Sequence, residues 1–427
     1  MLITELAKNN MGKLRSLILF LFSLCSGVSY SQYNSEFINY DNTGRSISLN
    51  ADYDAGSNGF QNALMNKFIF GGYIDKKTKD AALNKMRGYN QLGINLNYDI
   101  SLFIAGKPKF DFLIGFKNQE ILNATYTKDF YELLFYGNKP FLGKTANFSG
   151  TNINALRFQE IKFGVIMHQV DSTAKIGISV SFLKGEQLFY IKANKNSSLY
   201  TNHDGTELIF NSNFNMAISD TSAKKNLFSF NGIGASADIF FETPYKSKIG
   251  RQSILTVNAN NIGFIHWSEK SVQYSSDSIL KFDGYHINNI LDLKDSTLQK
   301  VNTDSVLRQA TNARQEEFNT NIPTNLIIIN KIYFTRMFAL NAGFRYIFHA
   351  NYKPYVFVEP EYKIANRFLI SVHVGYGGYT RLNTGLGFVY TNRHWFFKIG
   401  SNSLQGYILP KQTYGQGLYF SIAKKFK

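Results

Sequence analysis

The chain has 427 residues and a formal net charge of +16, with 38 Phe and 26 Tyr but only two Trp, seven Pro and one Cys. A mean hydropathy of −0.20 fits a soluble protein or a membrane β-barrel equally, because apolar and polar positions alternate along barrel strands and cancel in the average. The single Cys25 falls in the leader, so the exported product is expected to have no disulfide, thiolate metal site or cysteine nucleophile.

Residues 1–31 read as a signal peptide with its true start at Met11. Lys13 and Arg15 form the charged region, Leu17 to Leu24 the apolar region, and Ser29-Tyr30-Ser31 a small-x-small cleavage site that leaves Gln32 first. The apolar run is too short for the ~20 residues of a membrane helix. In an exported chain the basic excess calls for anionic lipid or lipopolysaccharide phosphate as counter-charge, not nucleic acid. A short periplasmic segment, 32–44, then leads into residues 45–427.

From there period-two alternation recurs. QLGINLNYDI puts Leu92, Ile94, Leu96 and Tyr98 on one face and Gln91, Gly93, Asn95, Asn97 and Asp99 on the other. KFDFLIGFK sets Phe110, Phe112, Ile114 and Phe116 against Asp111, Gly115 and Lys117, and RFLISVHVGYG sets Phe368, Ile370, Val372 and Val374 against Ser371, His373 and Gly375. Such alternation marks strands with one apolar and one polar face. The polar face is rich in Gly, Asn, Ser and Asp, which suits a crowded, wet barrel interior better than the outside of a secreted sandwich.

The fold expected is therefore all-β, a transmembrane antiparallel barrel of about fourteen strands in an outer membrane, with long extracellular loops and short periplasmic turns. The strands are placed at 45–54, 90–104, 108–117, 156–168, 174–184, 232–242, 252–261, 324–334, 337–348, 354–364, 367–377, 382–391, 394–402 and 416–427. Short turns fall at 105–107, 169–173, 243–251, 335–336, 365–366 and 392–393, and long loops at 55–89, 118–155, 185–231 and 262–323. Ala63 to Tyr73 and Glu186 to Asn194 read as extra strand or loop hairpin, which leaves twelve or sixteen strands open. The last strand, with Leu418, Phe420, Ile422 and Phe426 facing lipid, is expected to close the ring against 45–54 and to serve as the signal read by the barrel-assembly machinery.

The stretches LTVNANNIGFIHW (255–267) and RFQEIKFGVIMH (157–168) carry a resemblance. They resemble an uncharacterised family of outer-membrane barrels from Bacteroidota, itself similar at a distance to FadL-type fatty-acid channels and to the PorV-type barrel of the type IX secretion system. The resemblance implies no catalytic residues. FadL-type channels resemble barrels plugged by a substantial N-terminal hatch, and Gln32 to Gly44 is too little chain for one. This turns the expectation toward a binding or scaffold component of a secretion or surface-assembly complex, with a periplasmic or surface protein as partner. The alternative is a FadL-like channel for a small, partly hydrophobic solute.

The polar insertion 268–323 is long enough to act as lid, plug or docking platform. It contains DSIL, DSTL and DSVL. Asp-Ser pairs can cap short helices, and the run from Thr303 through VLRQATNARQEEF reads as helix. The same motif also resembles an O-glycosylation signal at Ser278, Ser296 and Ser305.

Asp99, Asp111, Lys117, Lys162, Lys175, Asp238, Arg345, Glu359, Glu361, His373 and Lys398 fall on the polar face as candidate lumen residues. They either line an aqueous channel or knit a salt-bridged, closed interior. His168, His203, His266, His286, His349, His373 and His394 have no zinc-like spacing, so neither metal nor cofactor is expected. His373 beside Ser371 could form a hydrolase dyad, but reads as a satisfied lumen histidine, and no enzyme is expected. Basic residues recur at the inner turns, among them Lys246, Lys248, Arg251, Arg336, Arg367 and Arg393.

Overall fold

The structure is a computed structural model and describes residues 45–106, 110–168, 174–223, 229–248, 250–282, 311–365 and 367–426. Its strands in chain order are β1 (Arg45–Ser57), β2 (Tyr89–Ala105), β3 (Phe110–Thr127), β4 (Lys144–Asn147), β5 (Asn152–His168), β6 (Lys175–Ala193) and β7 (Ser198–Thr201). They continue as β8 (Leu208–Ile218), β9 (Gly232–Lys246), β10 (Gln252–Trp267), β11 (Val272–Phe282), β12 (Asn312–Gln315), β13 (Phe318–Asn321) and β14 (Asn325–Tyr333). The remainder are β15 (Phe338–Ile347), β16 (Lys353–Ile364), β17 (Phe368–Gly378), β18 (Leu382–Thr391), β19 (Trp395–Ser401) and β20 (Gly415–Phe426).

Fourteen of these strands form a closed antiparallel barrel, and all fourteen lie where alternation placed them. The ring runs β1-β2-β3-β5-β6-β9-β10, then β14 through β20, and closes by β20 on β1 with Arg45 opposite Phe426 and Tyr53 opposite Leu418. Closure leaves no exposed edge around the wall. On the outer face Ile47 and Leu49 of β1, Phe112 and Ile114 of β3, Val180 and Phe182 of β6 and Val372 and Val374 of β17 are exposed. A continuous belt of this kind in water would be an aggregation surface; in a bilayer it is the lipid contact. Leu418, Phe420, Ile422 and Phe426 lie on the same outward face of β20, with the Lys424 ammonium 4.3 Å from the Trp395 ring.

Several strands outrun the expectation at the long-loop end. β3 continues to Thr127, β6 to Ala193 and β10 to Trp267, and β5 starts at Asn152. Glu186 to Asn194 is thus mostly wall strand. Ala63 to Tyr73, expected as strand or hairpin, instead contains the helix α1 (Asn62–Ile69), and α2 (Lys76–Leu83) and α3 (Lys128–Tyr136) follow in the first two long loops. In the 268–323 insertion the helical expectation fails at Asn312–Gln315, which is strand, because pairing with Val272–Ser275 overrides local propensity. β11 also pairs with β8, and β13 with the top of β10. The described parts of the insertion therefore extend the wall and a side sheet. Residues 283–310, with the first half of that expected helix, lie outside the described residues.

The barrel interior is packed. Phe103, Leu113, Ile166 and Phe240 form an apolar cluster at the short-turn end. Ile121, Phe158, Leu183, Ile265, Trp267 and Ile322 form another toward the long-loop end. On the opposite wall large rings lie over glycines: Tyr379 over Gly93, Phe357 over Gly343, and Tyr355 over Gly375. A Cβ on Gly375 would sit 2.0 Å from the Tyr355 hydroxyl. Gly375→Ala is expected to cost at least ~1–3 kcal/mol by overpacking. It should lower the temperature at which the folded band of a heat-modifiable gel shift disappears, and Tyr355→Leu in the same chain should restore part of the loss.

Candidate functional site: an apolar cavity at the long-loop end

The wall strands carry three bands on their outward face. Along β3, Phe110 to Phe116 meet lipid, Asn118 and Glu120 follow, and then Leu122, Ala124 and Tyr126. Along β5 and β6 the same order appears. Ile161 and Phe163 with Val180 and Phe182 give way to Arg157 and Lys184, and these to Ile153 and Ala155 with Phe189 and Ile191. The middle band is ion-paired, Arg157 to Glu120 at 3.4 Å and Lys184 to Glu186 at 2.5 Å. The upper band is apolar but lies beyond the lipid belt, so it must be covered from elsewhere in the chain.

The cover is local and capped. The Ser57 hydroxyl accepts from the Gly59 and Phe60 amides and turns the chain out of β1. α1 then packs Leu64, Met65, Phe68 and Ile69 inward and is anchored to the β19–β20 loop, with the Asn62 amide donating to Thr413 O at 2.9 Å and that of Ala63 to Pro410 O at 2.8 Å. Asp75 caps α2 by accepting from the Thr78 amide at 2.8 Å, and its carboxylate meets Lys67 of α1 at 2.7 Å. Thr127 caps α3 by accepting from the Phe130 amide at 3.0 Å. The Tyr131 hydroxyl donates to Lys79 O at 3.1 Å and that of Tyr136 to Asp80 at 2.6 Å, which ties α3 to α2. On the other side Phe148 and the β8 residues Phe210 and Phe214 complete the wall, β8 being paired to the top of β6.

These elements line a cavity of about 510 Å³. Its lining includes Phe60, Phe68, Leu122, Tyr126, Phe130, Leu134, Ile153, Phe189 and Phe214, and no charged residue. That size and composition suit a small organic molecule.

The helical cover has a predictable acid response. The Lys67 ammonium and the Thr78 amide hold the Asp75 carboxyl well below its ordinary range, and Lys76 with Tyr136 lowers that of Asp80. A carboxyl depressed in the folded state stabilises above the unfolded pKa, and the contribution is lost as pH falls through the folded value. Hydrogen-exchange protection of α2 should therefore hold level from about pH 8 to about pH 5 and fall only in stronger acid. Asp75→Asn keeps a capping side chain but loses the ion pair with Lys67, and should lower that protection modestly at neutral pH and remove its acid dependence while the barrel stays heat-modifiable.

The sequence-derived lumen residues lie elsewhere, inside the barrel and in separate groups. Lys162 meets Asp238 at 2.5 Å and Glu160 at 3.3 Å. Asp111 pairs with His168 at 2.5 Å, Lys175 with Glu242 at 3.0 Å, and Glu361 with Lys331 at 2.5 Å. Asp99 accepts from Asn50 at 2.8 Å. With Asp52, Lys117 and Arg345 it lines a polar lumen cavity of only about 70 Å³. The Lys398 ammonium lies 5.2 Å from the Tyr419 ring centroid. His373 sits between the Tyr355 hydroxyl at 2.7 Å and the Glu359 carboxylate at 3.1 Å. The Ser371–His373 dyad is not formed, since both ring nitrogens are engaged elsewhere and the Ser371 hydroxyl lies against Tyr419. Ser278 is exposed on β11, and Ser296 and Ser305 lie outside the described residues. Among the described residues no cluster of His, Cys, Asp or Glu could hold a metal.

A family model described as a family of unknown function, DUF5723, matches residues 38–402. The chain belongs to that family. No curated protein matches the sequence. Among solved structures the DUF5723 barrel is similar to the P. putida toluene transporter TodX, at 10% identity and a TM-score of 0.42 over 90% of each chain. It is similar to the Ralstonia pickettii toluene transporter TbuX at 10% identity and a TM-score of 0.41, again over 90% of each chain. A Pseudomonas aeruginosa FadL homologue gives 12% identity and a TM-score of 0.40 over 90% of each chain. Similarity at this level says nothing of what the present chain binds. The signal for the cavity was present in the sequence, in the caps Asp75 and Thr127 and in the apolar positions of α1.

Proposed function

We propose that this protein is an outer-membrane barrel that captures small hydrophobic solutes at its extracellular end. The observation that carries the reading is the apolar, uncharged cavity of about 510 Å³ above the lipid belt. Burial of apolar ligand surface supplies about 25 cal/mol per Å², enough for micromolar binding without a polar anchor. The orientation follows from the barrel plan, in which short turns and both chain ends face the periplasm and long loops face outward. The packed interior argues against an open aqueous pore, so a planar bilayer containing the pure protein should show no steady ion conductance.

The test is equilibrium binding. Purified protein in lipid nanodiscs should bind the apolar fluorophore N-phenylnaphthylamine saturably, with one site per chain, and an alkane should displace it. Absence of saturable binding would end this reading. A second reading, a scaffold for a periplasmic protein, is favoured by one feature: Lys246, Lys248, Arg251, Arg336, Arg367 and Arg393 are all exposed around the short-turn rim. A stoichiometric partner recovered in mild detergent and released by salt would support it.

A further inference from the structure

The helical cover packs on the outward face of the wall, the same face that carries the lipid belt. Tyr53 and Ala55 of β1 lie on the side of the exposed Ile47 and Leu49, and are buried in one cluster with Leu64, Met65 and Ile69 of α1. On β2 the edge of the belt is marked by Tyr98, 45% exposed and opposite Ala51. Tyr53 is two residues further along β1, about 7 Å at the rise of a strand. The headgroup layer on each side of the hydrocarbon core is about 5–8 Å thick. The cover therefore begins at headgroup height and stands on the lipid surface.

Two corners of the cover carry residues that suit this height. Gly71 and Gly72, at φ +82° and +140°, reverse the chain between α1 and α2. The turn leaves Phe70 65% and Tyr73 84% exposed, and Lys76 and Lys77 follow at once, also exposed. The β19–β20 loop, bonded to the start of α1, exposes Ile408 and Leu409 next to Lys411. Between α2 and β2, Met86 is buried in the α1 cluster while Lys85 and Arg87 on either side of it stay exposed. Residues 58–89 hold six Lys or Arg against two Asp, and Lys67 and Lys76 already pair with those two. Lys77, Lys85 and Arg87 have no carboxylate partner among the described residues. In water such corners are exposed apolar patches; at a membrane surface the apolar side chains reach the acyl boundary and the cations reach phosphate.

We infer that the helical cover docks on phosphorylated lipid headgroups of the outer leaflet, with Lys77, Lys85 and Arg87 on phosphate and Phe70, Tyr73 and Ile408 seated beside them. Each basic side chain near an anionic leaflet raises association about fivefold. The lipid so held pins the helices that line the cavity, and its loss loosens them before it affects the barrel.

The experiment places the full barrel in nanodiscs of phosphatidylcholine, alone or mixed with lipid A, and reads hydrogen exchange across residues 62–83. Lipid A should slow exchange in that segment at least about fivefold. Lys77→Gln/Lys85→Gln/Arg87→Gln should lose the slowing and keep the wild-type heat-modifiable shift. Lys246→Gln/Lys248→Gln, at the other end of the barrel, should keep the slowing. Equal exchange in the two nanodiscs, or slowing that survives the triple variant, would overturn the inference. Equal slowing by inorganic phosphate in phosphatidylcholine nanodiscs would also overturn it, since the partner would then be a free anion. Lipid A reaches both faces of a nanodisc, so the outcome does not depend on which way the barrel lies. N-phenylnaphthylamine binding reports the cavity separately, so the lipid contact and the capture reading can each fail alone.

Discussion

Ala124→Trp/Ala155→Trp is expected to reduce affinity for an apolar probe at least tenfold while leaving the barrel folded. Both alanines line the cavity, at 5% and 3% exposure, and both lie on the upper apolar band of the outward face. Ala155 is opposite Leu122 on β3 and Phe189 on β6, so an indole there has no path except into the cavity. The loss follows from volume, since two indoles occupy the space the ligand needs. Filling an apolar void also returns contacts that the empty cavity forgoes, by about 24 cal/mol per Å³ of void removed. The variant should therefore show a heat-modifiable shift at the wild-type temperature or above it. A variant that folds and binds the probe with wild-type affinity would mean that the probe sits elsewhere. One that fails to fold calls for Ala155→Leu, a smaller intrusion with the same sign.

The limits of the sequence reading trace to where alternation has one cause and where it has two. In the membrane belt lipid outside and packed polar groups inside impose a single period, so strands such as Phe368–Gly378 and Phe338–Ile347 could be placed to within a residue or two. Above the belt the outward face changes character within one strand. In NQEILNATYT of β3, Asn118 and Glu120 interrupt the apolar positions before Leu122 and Ala124 resume, and the pattern stops looking like a strand just where the site begins. The helices over the site are eight or nine residues long, too short for periodicity to decide, and the N-caps of α2 and α3 carry most of their signal. The lumen charges were visible as polar-face residues. Their partners were not, because Lys162 meets Asp238 only through the register that sets β6 against both β5 and β9.

Lys162→Met is expected to destabilise the barrel by about 3–5 kcal/mol, the usual consequence of breaking one partner out of a buried ion pair. The Lys162 side chain is 5% exposed, and those of Glu160 and Asp238 are fully buried. Ser179 donates to Asp238 at 3.0 Å, the Asn261 amide donates to it at 2.8 Å, and Ser181 donates to Glu160 at 2.6 Å. These hydrogen bonds orient the carboxylates but do not neutralise them, and the ammonium between them is the charge in direct contact with both. Its removal leaves two carboxylates between the apolar clusters at the two ends of the lumen, where water is scarce. Urea unfolding of the detergent-folded protein, followed by the gel shift, should show a lower midpoint with an unchanged slope. Lys162→Met/Glu160→Gln/Asp238→Asn should recover most of the loss, because the charge to be compensated has gone along with its partner. A single variant with the wild-type midpoint would mean that water reaches the cluster, and the lumen would then have to be read as a wet channel instead of a packed wall.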